Sequence, residues 1–274
     1  MSQVASFYSG PGGLVAAIGT ALDAAGLSRA TLRPADLAPV DEFHIRGRAA
    51  SLEIVEALGL TAHSHVLDLG SGLGGPARTL AELTGCTVTG VDLTSEFCEA
   101  ATALSEWTGL SSRTRFQVGD ATATGLPDGA ADAALTVHAA MNISDKPALY
   151  AEAFRLLRPG GRFVIYDVLK GEGGDVRYPV PWANDSSTSF LATPQEMREL
   201  LPAAGFTVIS EVDSSDDSLA WFRQMRARIE RDGPPAVTFA TFLGDAFGQM
   251  TANQVTNLAE RRIRTVMFTC SRPF

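Results

Sequence analysis

The sequence predicts an α/β fold built on a doubly wound, mostly parallel sheet of seven strands. From residue 65 onwards, apolar segments of strand length alternate with amphipathic segments of helix length. The first apolar segment, HVLDL, runs into the glycine-rich turn GSGLGG and then into a helix, as expected where a parallel sheet begins. We expect four regions: an N-terminal arm with lid helices (1–60), a core (61–213), a helical cover inserted before the last strand (214–263), and the last strand (264–274).

Apolar spacing and capping residues predict the individual elements. Thr193 and Glu196 form a capping-box pattern, and the stop signal RPGG at 158–161 separates a helix from the fifth strand. The predicted strands are 65–69, 86–91, 113–119, 130–138, 162–169, 206–212 and 264–271. The predicted helices are 14–25, the second half of 41–60, 77–83, 95–108, 146–157, 193–204 and two more around the GPP break at 233–235.

A polar residue marks the C-terminal end of each of the first five predicted strands. In a doubly wound sheet, ligands bind in the crevice beyond these ends. The five residues are therefore expected to share one crevice: they are Asp68, Asp92, Asp120, His138 and Asp167.

The glycine turn predicts a nucleotide-like ligand in that crevice. Glycines allow a ligand to approach the main chain, and the first amides of the following helix have no partners within the helix. Asp92 follows the second strand, where a carboxylate can accept hydrogen bonds from the two ribose hydroxyls of an adenosine.

Two ligands compete for this unit. GSGLGG fits the loose dinucleotide pattern GxGxxG, which keeps an NAD(P)-dependent oxidoreductase as an alternative. Asp68, two residues before Gly70, would repel a pyrophosphate in a partly desolvated crevice. S-adenosylmethionine (SAM) instead carries an ammonium and a sulfonium group, which a carboxylate attracts. We therefore favour SAM, and a non-catalytic SAM-binding protein is a third hypothesis.

Composition and net charge limit the classes of molecule that this protein is expected to bind. The 274 residues carry a net charge of −9 and a pI near 4.9, which argues against nucleic acid, because binding to phosphates depends on clustered Lys and Arg. Three scattered cysteines suit a reducing cytoplasm, and neither a membrane span nor a metal-ligand spacing is evident. We expect a cytoplasmic enzyme with a small-molecule methyl acceptor, no membrane span and no metal, and the sequence leaves a homodimer open.

Several motifs resemble class I SAM-dependent methyltransferases in order and spacing. They are VLDLGSGLGG at 66–75, the acidic strand end at Asp92, GDA at 119–121 and LRPGGRFVIYDVL at 157–169. The flanks FYSGPGGL, DEFHIRGRAA, VHAAMNISDK and PVPWANDSSTSFL are similar to small-molecule methyltransferases of the sarcosine/dimethylglycine and UbiE-like type. Relatives usually read FHIGGREA in the second flank, so Arg46 stands where they have glycine. This departure puts in doubt any transfer of a relative's substrate to this chain.

The resemblance implies a set of cofactor-binding residues. Gly70, Ser71 and Gly72 would line the methionine part of SAM, and Asp92 with Leu93 would hold the ribose and adenine. Asp120 with Ala121 would meet the adenine amino group. With the residues inferred above, the full cofactor set is Asp68, Gly70, Ser71, Gly72, Asp92, Leu93, Asp120, Ala121 and His138.

Methyl transfer from a sulfonium is an in-line displacement that leaves S-adenosylhomocysteine (SAH), so alignment of the acceptor is the protein's main task. The candidate catalytic residues are His138, as a base or an orienting group, and Tyr8 on the N-terminal arm. The sequence does not decide between a nitrogen and a nucleophilic carbon as the acceptor atom. The expected substrate-pocket residues are Phe43, His44, Met141, Trp182, Phe190 and Trp221.

Overall fold

A seven-stranded sheet forms the centre of the computed structural model, which describes residues 13–235, 238, 239 and 243–274. The strands are β1 His65–Leu69, β2 Thr87–Asp92, β3 Thr114–Val118, β4 Ala131–Val137, β5 Leu157–Lys170, β6 Thr207–Asp213 and β7 Ile263–Ser271. Their order is β3-β2-β1-β4-β5-β7-β6. Neighbours from β3 to β5 run parallel, whereas β7 is antiparallel to both β5 and β6. The predicted doubly wound fold is confirmed.

Helices cover both faces of the sheet. Within the described residues they are α1 Leu14–Ala24, α2 Pro34–Asp41, α3 Arg48–Leu58, α4 Gly75–Thr84, α5 Ser95–Trp107, α6 Lys146–Leu156, α7 Pro194–Ala203, α8 Ser215–Asp232 and α9 Phe247–Ala259. None of these helices has the length and the apolar character that crossing a membrane requires.

Successive side chains of β1 pack into the apolar clusters on opposite faces of the sheet. Val66 packs with apolar residues of α3 and α4, whereas Leu67 and Leu69 pack with those of α6 and α7. Successive strand side chains point to opposite faces, so a strand covered on both sides must be apolar at nearly every position. Asp68 breaks this rule in β1, an interior strand paired on both sides, and it is 1% exposed.

Two further apolar clusters join the helices that flank the sheet. At the N-terminal end, α1 and α2 pack on α5 through buried residues that include Ile18, Leu37 and Leu104. At the other end, α8 and α9 lie between β6 and β7 in the chain, as predicted for the cover insertion. Phe222 of α8 and Leu258 of α9 pack with Trp182 of the long connection after β5.

The fifth strand begins earlier than predicted. We expected RPGG to interrupt the chain before residue 162, but β5 starts at Leu157, which pairs with Ala131 of β4. The register shifts between Ala131 and Ala133, so the extra residues are accommodated as an irregularity within the ladder.

Candidate functional site

A cleft opens where the strand order reverses, at the C-terminal ends of β1 and β4. In the sheet, β1 lies between β2 and β4, so the chain leaves β1 and β4 towards opposite faces. The loops that follow these two strands therefore diverge and leave space between them. The cleft is lined by loop residues after β1, β2, β3 and β4 and by the segment that follows α2. The lining residues include Asp41, Phe43, His44, Asp68, Gly70, Ser71, Gly72, Asp92, Leu93, Thr94, Asp120, Ala121, His138, Ala139 and Asn142.

The glycine turn after β1 is fixed by backbone hydrogen bonds. The amides of Gly70 and Ser71 both donate to the carbonyl of Val91, which ties the turn to β2. Gly70 has φ 84, and a Cβ placed on it would lie 2.3 Å from the Cβ of Ala139. This position therefore needs glycine both for its backbone angle and for the close approach of the loop after β4.

Asp92 is held in place by main-chain amides. Gly72 N donates to Asp92 Oδ2 at 2.8 Å and Thr94 N donates to Oδ1 at 2.9 Å. Each carboxylate oxygen has a second lone pair, so both can still accept a hydrogen bond from a ligand. Burial raises the pKa of this carboxyl, although the two amides oppose the shift.

Asp68 is buried at the floor of the cleft, and neither of its carboxylate oxygens has a hydrogen-bond partner. Burial raises the pKa of Asp68 to about 8, and the nearby carboxylates of Asp92 and Glu42 act in the same direction. A buried carboxyl without a partner is unfavourable for folding, so the arrangement indicates a ligand that supplies a positive charge or hydrogen-bond donors.

Unpartnered buried polar atoms concentrate in and beside this cleft. Of the eight such side-chain atoms in the described part of the chain, six belong to residues that line the cleft or the cavity next to it. Those six are Asp41 Oδ1, Asp68 Oδ1 and Oδ2, Ser71 Oγ, His138 Nε2 and Thr251 Oγ1. The remaining two are Arg78 Nε and Thr136 Oγ1. Among the described residues, most of the unpartnered buried polar atoms thus lie where a ligand could meet them.

A second cavity adjoins the cleft, and we call it the acceptor cavity. It shares Phe43, His44 and His138 with the cleft, so these three side chains stand between the two spaces. Its other lining residues are Ile45, Met141, Pro181, Trp182, Trp221, Phe222, Met225, Phe239, Phe247, Thr251 and Gln254.

The two histidines between the cavities are both neutral near pH 7; His44 is buried, and His138 is half-buried with its Nε2 shielded from solvent. His138 has φ 48, and its backbone amide donates to the carbonyl of Tyr166 at 2.8 Å. Burial lowers its pKa well below the ordinary value, with His44 contributing in the same direction. His44 Nε2 lies 3.0 Å from the carbonyl of Gly47, which can only accept, so this nitrogen carries the proton. Burial lowers the pKa of His44 to about 4.

Asn142 holds the wall of the acceptor cavity. Its Nδ2 donates to the carbonyls of Trp182 at 2.9 Å and Thr188 at 2.7 Å. The Trp182 indole donates to Ser189 Oγ at 3.0 Å, which fixes the ring that lines the cavity. One amide thereby links the loop after β4 to the segment after β5.

The structure brings most of the sequence-predicted site residues together. All nine expected cofactor residues line the cleft. Five of the six expected substrate-pocket residues line the acceptor cavity: Phe43, His44, Met141, Trp182 and Trp221. Tyr8 lies outside the described residues.

Two expectations were wrong. Phe190 lines a different depression, beside Lys146 and Leu200, and its backbone amide donates to the carbonyl of Met141. Asp167 does not reach the cleft, because β5 continues to Lys170 and the carboxyl is buried within the strand, where it accepts a hydrogen bond from Val168 N.

Sequence reasoning missed several lining residues. Asp41 is the first residue of the motif DEFHIRGRAA, so this motif could have indicated that Asp41 lines the cleft. Thr251 and Gln254 gave no signal, because they belong to a helix with an ordinary mixture of polar and apolar residues. Arg46, which departs from the family pattern, has φ 70 and pairs with Glu53; its side chain is not part of either lining.

No metal site accompanies the cleft. Across the described ranges, no group of three or more His, Cys, Asp or Glu side chains is arranged to hold a metal ion.

Comparison with known proteins supports a methyltransferase domain. Residues 67–165 match the family model described as a methyltransferase domain. Sterol 24-C-methyltransferase erg-4 of Neurospora crassa is 29% identical over 175 residues, which are 60% of this chain and 46% of that protein. The chain thus spans about half the length of the curated relatives it matches.

Solved structures share the fold. Phosphoethanolamine N-methyltransferase 2 of Haemonchus contortus, solved in complex with SAM, superposes with a TM-score of 0.73 and 22% identity, covering 92% of this chain and 59% of that one. The [4+2]-cyclase SpnF superposes with a TM-score of 0.66 and 23% identity and covers 93% of both chains. At these identities the likeness establishes the fold alone.

We predict that Gly70→Ala destabilises the protein by roughly 2–4 kcal/mol, because the new methyl meets Ala139 and the backbone angle is strained. Gly72→Ala is the matched control: Gly72 is also left-handed, at φ 50, but has no atom within 4 Å of its added Cβ. It should lose only about 1–2 kcal/mol. Denaturant unfolding measures both, and the double variant Gly70→Ala/Ala139→Gly should recover the difference. A double variant no more stable than Gly70→Ala would contradict the contact.

We predict that Asp68→Asn stabilises the ligand-free protein. Folding raises the pKa of Asp68 from 3.8 to about 8, so between these values the folded state binds more protons and its stability falls as pH rises. Asparagine does not titrate, so the gain should be roughly 4 kcal/mol near pH 7 and roughly 2 kcal/mol near pH 5. Thermal unfolding at both pH values tests this, with Asp128→Asn as an exposed control. A gain that does not grow with pH would contradict it.

Proposed function

We propose that this chain, whose residues 67–165 form a methyltransferase domain of the class I SAM-dependent type, transfers a methyl group from SAM to a nitrogen or carbon of a small metabolite. The observation that carries the proposal is the buried, unpartnered carboxyl of Asp68 at the end of β1, beside Asp92. Such a pair of acids matches a ligand with a positive charge and donor groups.

The residues of the cleft suit each part of SAM. Asp68 would accept hydrogen bonds from the ammonium group, and the turn at Gly70 to Gly72 would lie against the methionine part. Asp92, already fixed by two amides, would receive the ribose hydroxyls. Asp120 is oriented by Thr122, whose amide and hydroxyl both donate to Oδ1, and Oδ2 remains free to accept from the adenine amino group. When bound, SAM supplies a methyl group on a positively charged sulfur.

A dinucleotide suits the same cleft poorly. Its pyrophosphate would lie against the glycine turn, where Asp41, Asp68 and Asp92 all line the space. The carboxylates of Asp41 and Asp92 would repel the phosphates in this partly desolvated site, and Asp68 would gain no cationic partner from a pyrophosphate. The family match supports the same choice, and the NAD(P) alternative is not supported.

The chain's own contribution to the reaction is alignment and exclusion of water. His44, His138 and Phe43 separate the cofactor cleft from the acceptor cavity, so the acceptor atom would approach the cofactor at this wall. His138 Nε2 is buried and unpartnered, and its low pKa keeps its lone pair free at neutral pH. The same low pKa makes it a weak base, which favours orienting the acceptor over removing a proton from it.

The acceptor is proposed to be a free metabolite and not a nucleic acid, since the net charge of −9 opposes a phosphate backbone. A cytoplasmic location and a homodimer stay predictions.

Calorimetry tests the cofactor assignment. We predict SAM and SAH binding with no response to NAD or NADP, and at least a hundredfold loss of SAM affinity in Asp92→Ala, because the variant removes an ionised acceptor fixed by two amides. Asp128→Ala, an exposed acid far from the site, should bind SAM normally. NAD binding with no SAM binding would overturn the proposal. Release of SAH with a panel of amines, phenols, quinones and indoles then separates catalysis from binding alone.

The pH profile of His138→Asn distinguishes orientation from base catalysis. Asparagine tolerates the left-handed backbone at φ 48 and keeps hydrogen-bonding ability without titrating. We predict a loss of SAH release of less than about tenfold and equal at pH 6.5 and pH 8.5, because His138 stays neutral throughout this range. Loss by a factor of about 10² or more that recovers towards high pH would instead identify a general base.

A further inference from the structure

The described residues that line the acceptor cavity carry no formal charge. Among the described residues that form it, the side chains are aromatic or aliphatic except for the two neutral histidines, Thr251 and Gln254. No Lys, Arg, Asp or Glu in the described part of the chain lines it. The arginines of α8 do not line it: Arg223, Arg226 and Arg228 are exposed to solvent, whereas Phe222 and Met225 face the cavity.

The electrostatic surroundings disfavour a charged acceptor of either sign. An anion would find no cationic side chain in the described lining and would approach the acids Asp41, Asp68 and Asp92 in the adjoining cleft. A cation would find no acid in the described lining and would approach the sulfonium of the cofactor. Moving either charge out of water into this cavity would therefore lack compensation.

Two polar groups on α9 can recognise a neutral hydrogen-bonding group. Thr251 Oγ1 is buried and has no hydrogen-bond partner. Gln254 is 6% exposed and lies three residues further along the helix, on the same face. Buried polar groups are normally satisfied, so the unpartnered hydroxyl of Thr251 indicates a polar atom on the molecule that fills the cavity, and Gln254 lies close enough to contact the same group.

We propose, building on the function proposed above, that the methyl acceptor is a neutral, mainly aromatic or hydrocarbon molecule that carries a hydrogen-bonding group recognised by Thr251 and Gln254. The aromatic rings of Trp182, Trp221 and Phe222 bury its apolar body, and α9 fixes its polar end. Its reacting atom then lies at the wall formed by Phe43, His44 and His138.

Two fluorescent probes with the same skeleton test the charge requirement. N-phenyl-1-naphthylamine is neutral and has one N–H donor, whereas 8-anilinonaphthalene-1-sulfonate adds a sulfonate. Both are titrated into the full chain saturated with SAH, so that the cofactor cleft is filled. We expect the neutral probe to bind at least tenfold more tightly than the anionic one. Equal affinities, tighter binding of the anion, or no binding of either probe would overturn the proposal.

Variants locate the probe in the cavity. Thr251→Val keeps the shape and removes the hydroxyl, so it should weaken the neutral probe by three- to tenfold. Thr256→Val is the matched control on the same helix, because Thr256 Oγ1 bonds to the carbonyl of Ala252 and does not line the cavity. Met225→Lys places a cation in the lining and should reverse the preference towards the sulfonate. Equal effects of Thr251→Val and Thr256→Val, or an unchanged preference in Met225→Lys, would contradict the assignment.

SAH affinity, measured by calorimetry for every variant, separates failure of this proposal from failure of the proposed function. Thr251 and Met225 do not line the cofactor cleft, so their variants should bind SAH like the parent. If Thr251→Val loses SAH affinity through misfolding, Gln254→Leu replaces it in the comparison with Thr256→Val. A parent protein that fails to bind SAH refutes the function itself, whereas normal SAH binding without the probe preference refutes only the acceptor class.

Discussion

The site depends on one carboxyl that the fold leaves without a partner. Asp68 belongs to β1, the strand between β2 and β4, and its backbone pairs with Gly90 on one side and Leu135 on the other. The side chain therefore cannot move towards water without disturbing the centre of the sheet. Burial raises its pKa to about 8, which keeps the carboxyl protonated in the ligand-free protein near neutral pH. A cationic ligand makes the ionised form favourable, so affinity is obtained at the expense of intrinsic stability.

The buried acids around Asp68 are partnered, which sets Asp68 apart. Arg78 is fully buried and donates to Asp41 Oδ2 at 2.7 Å, joining the end of α2 to α4. Glu42 accepts from Ser51 at 2.6 Å and from Thr79 at 2.7 Å. Removing one partner of such a buried pair leaves an uncompensated charge. These contacts hold the segment after α2 against the glycine turn, and that segment supplies Phe43 and His44 to both cavities.

The core of the site could be predicted from the sequence because its geometry is local. Gly70, Asp92 and His138 follow directly from strand ends, and a parallel sheet brings strand ends together whatever covers them. The acceptor cavity is formed by contacts between distant segments, and the sequence pointed to five of its lining residues while missing those on α9. Phe190 was assigned to the acceptor cavity because it belongs to a segment rich in glycine, proline and aromatic residues. In the structure its backbone amide donates to the carbonyl of Met141, a contact between distant segments that no local pattern reveals. Thr251 was missed because its burial depends on how α9 packs on the sheet.

The cofactor cleft and the acceptor cavity are formed by different parts of the chain: the central parallel strands shape the first, and elements outside them shape most of the second. The acids at the ends of β1 and β2, which under the proposed function would hold the charged cofactor, are positioned by the central sheet. The acceptor cavity is lined by Trp182, Trp221 and Thr251 on elements outside that parallel core, where substitutions can alter the cavity without altering β1 or the glycine turn. His44 and His138, kept neutral by desolvation, separate a cleft that contains several acids from a cavity whose described lining is uncharged. Under the proposed function, a neutral wall would let an acceptor approach the sulfonium without placing another positive charge beside it, and the lowered pKa of both histidines suits this requirement.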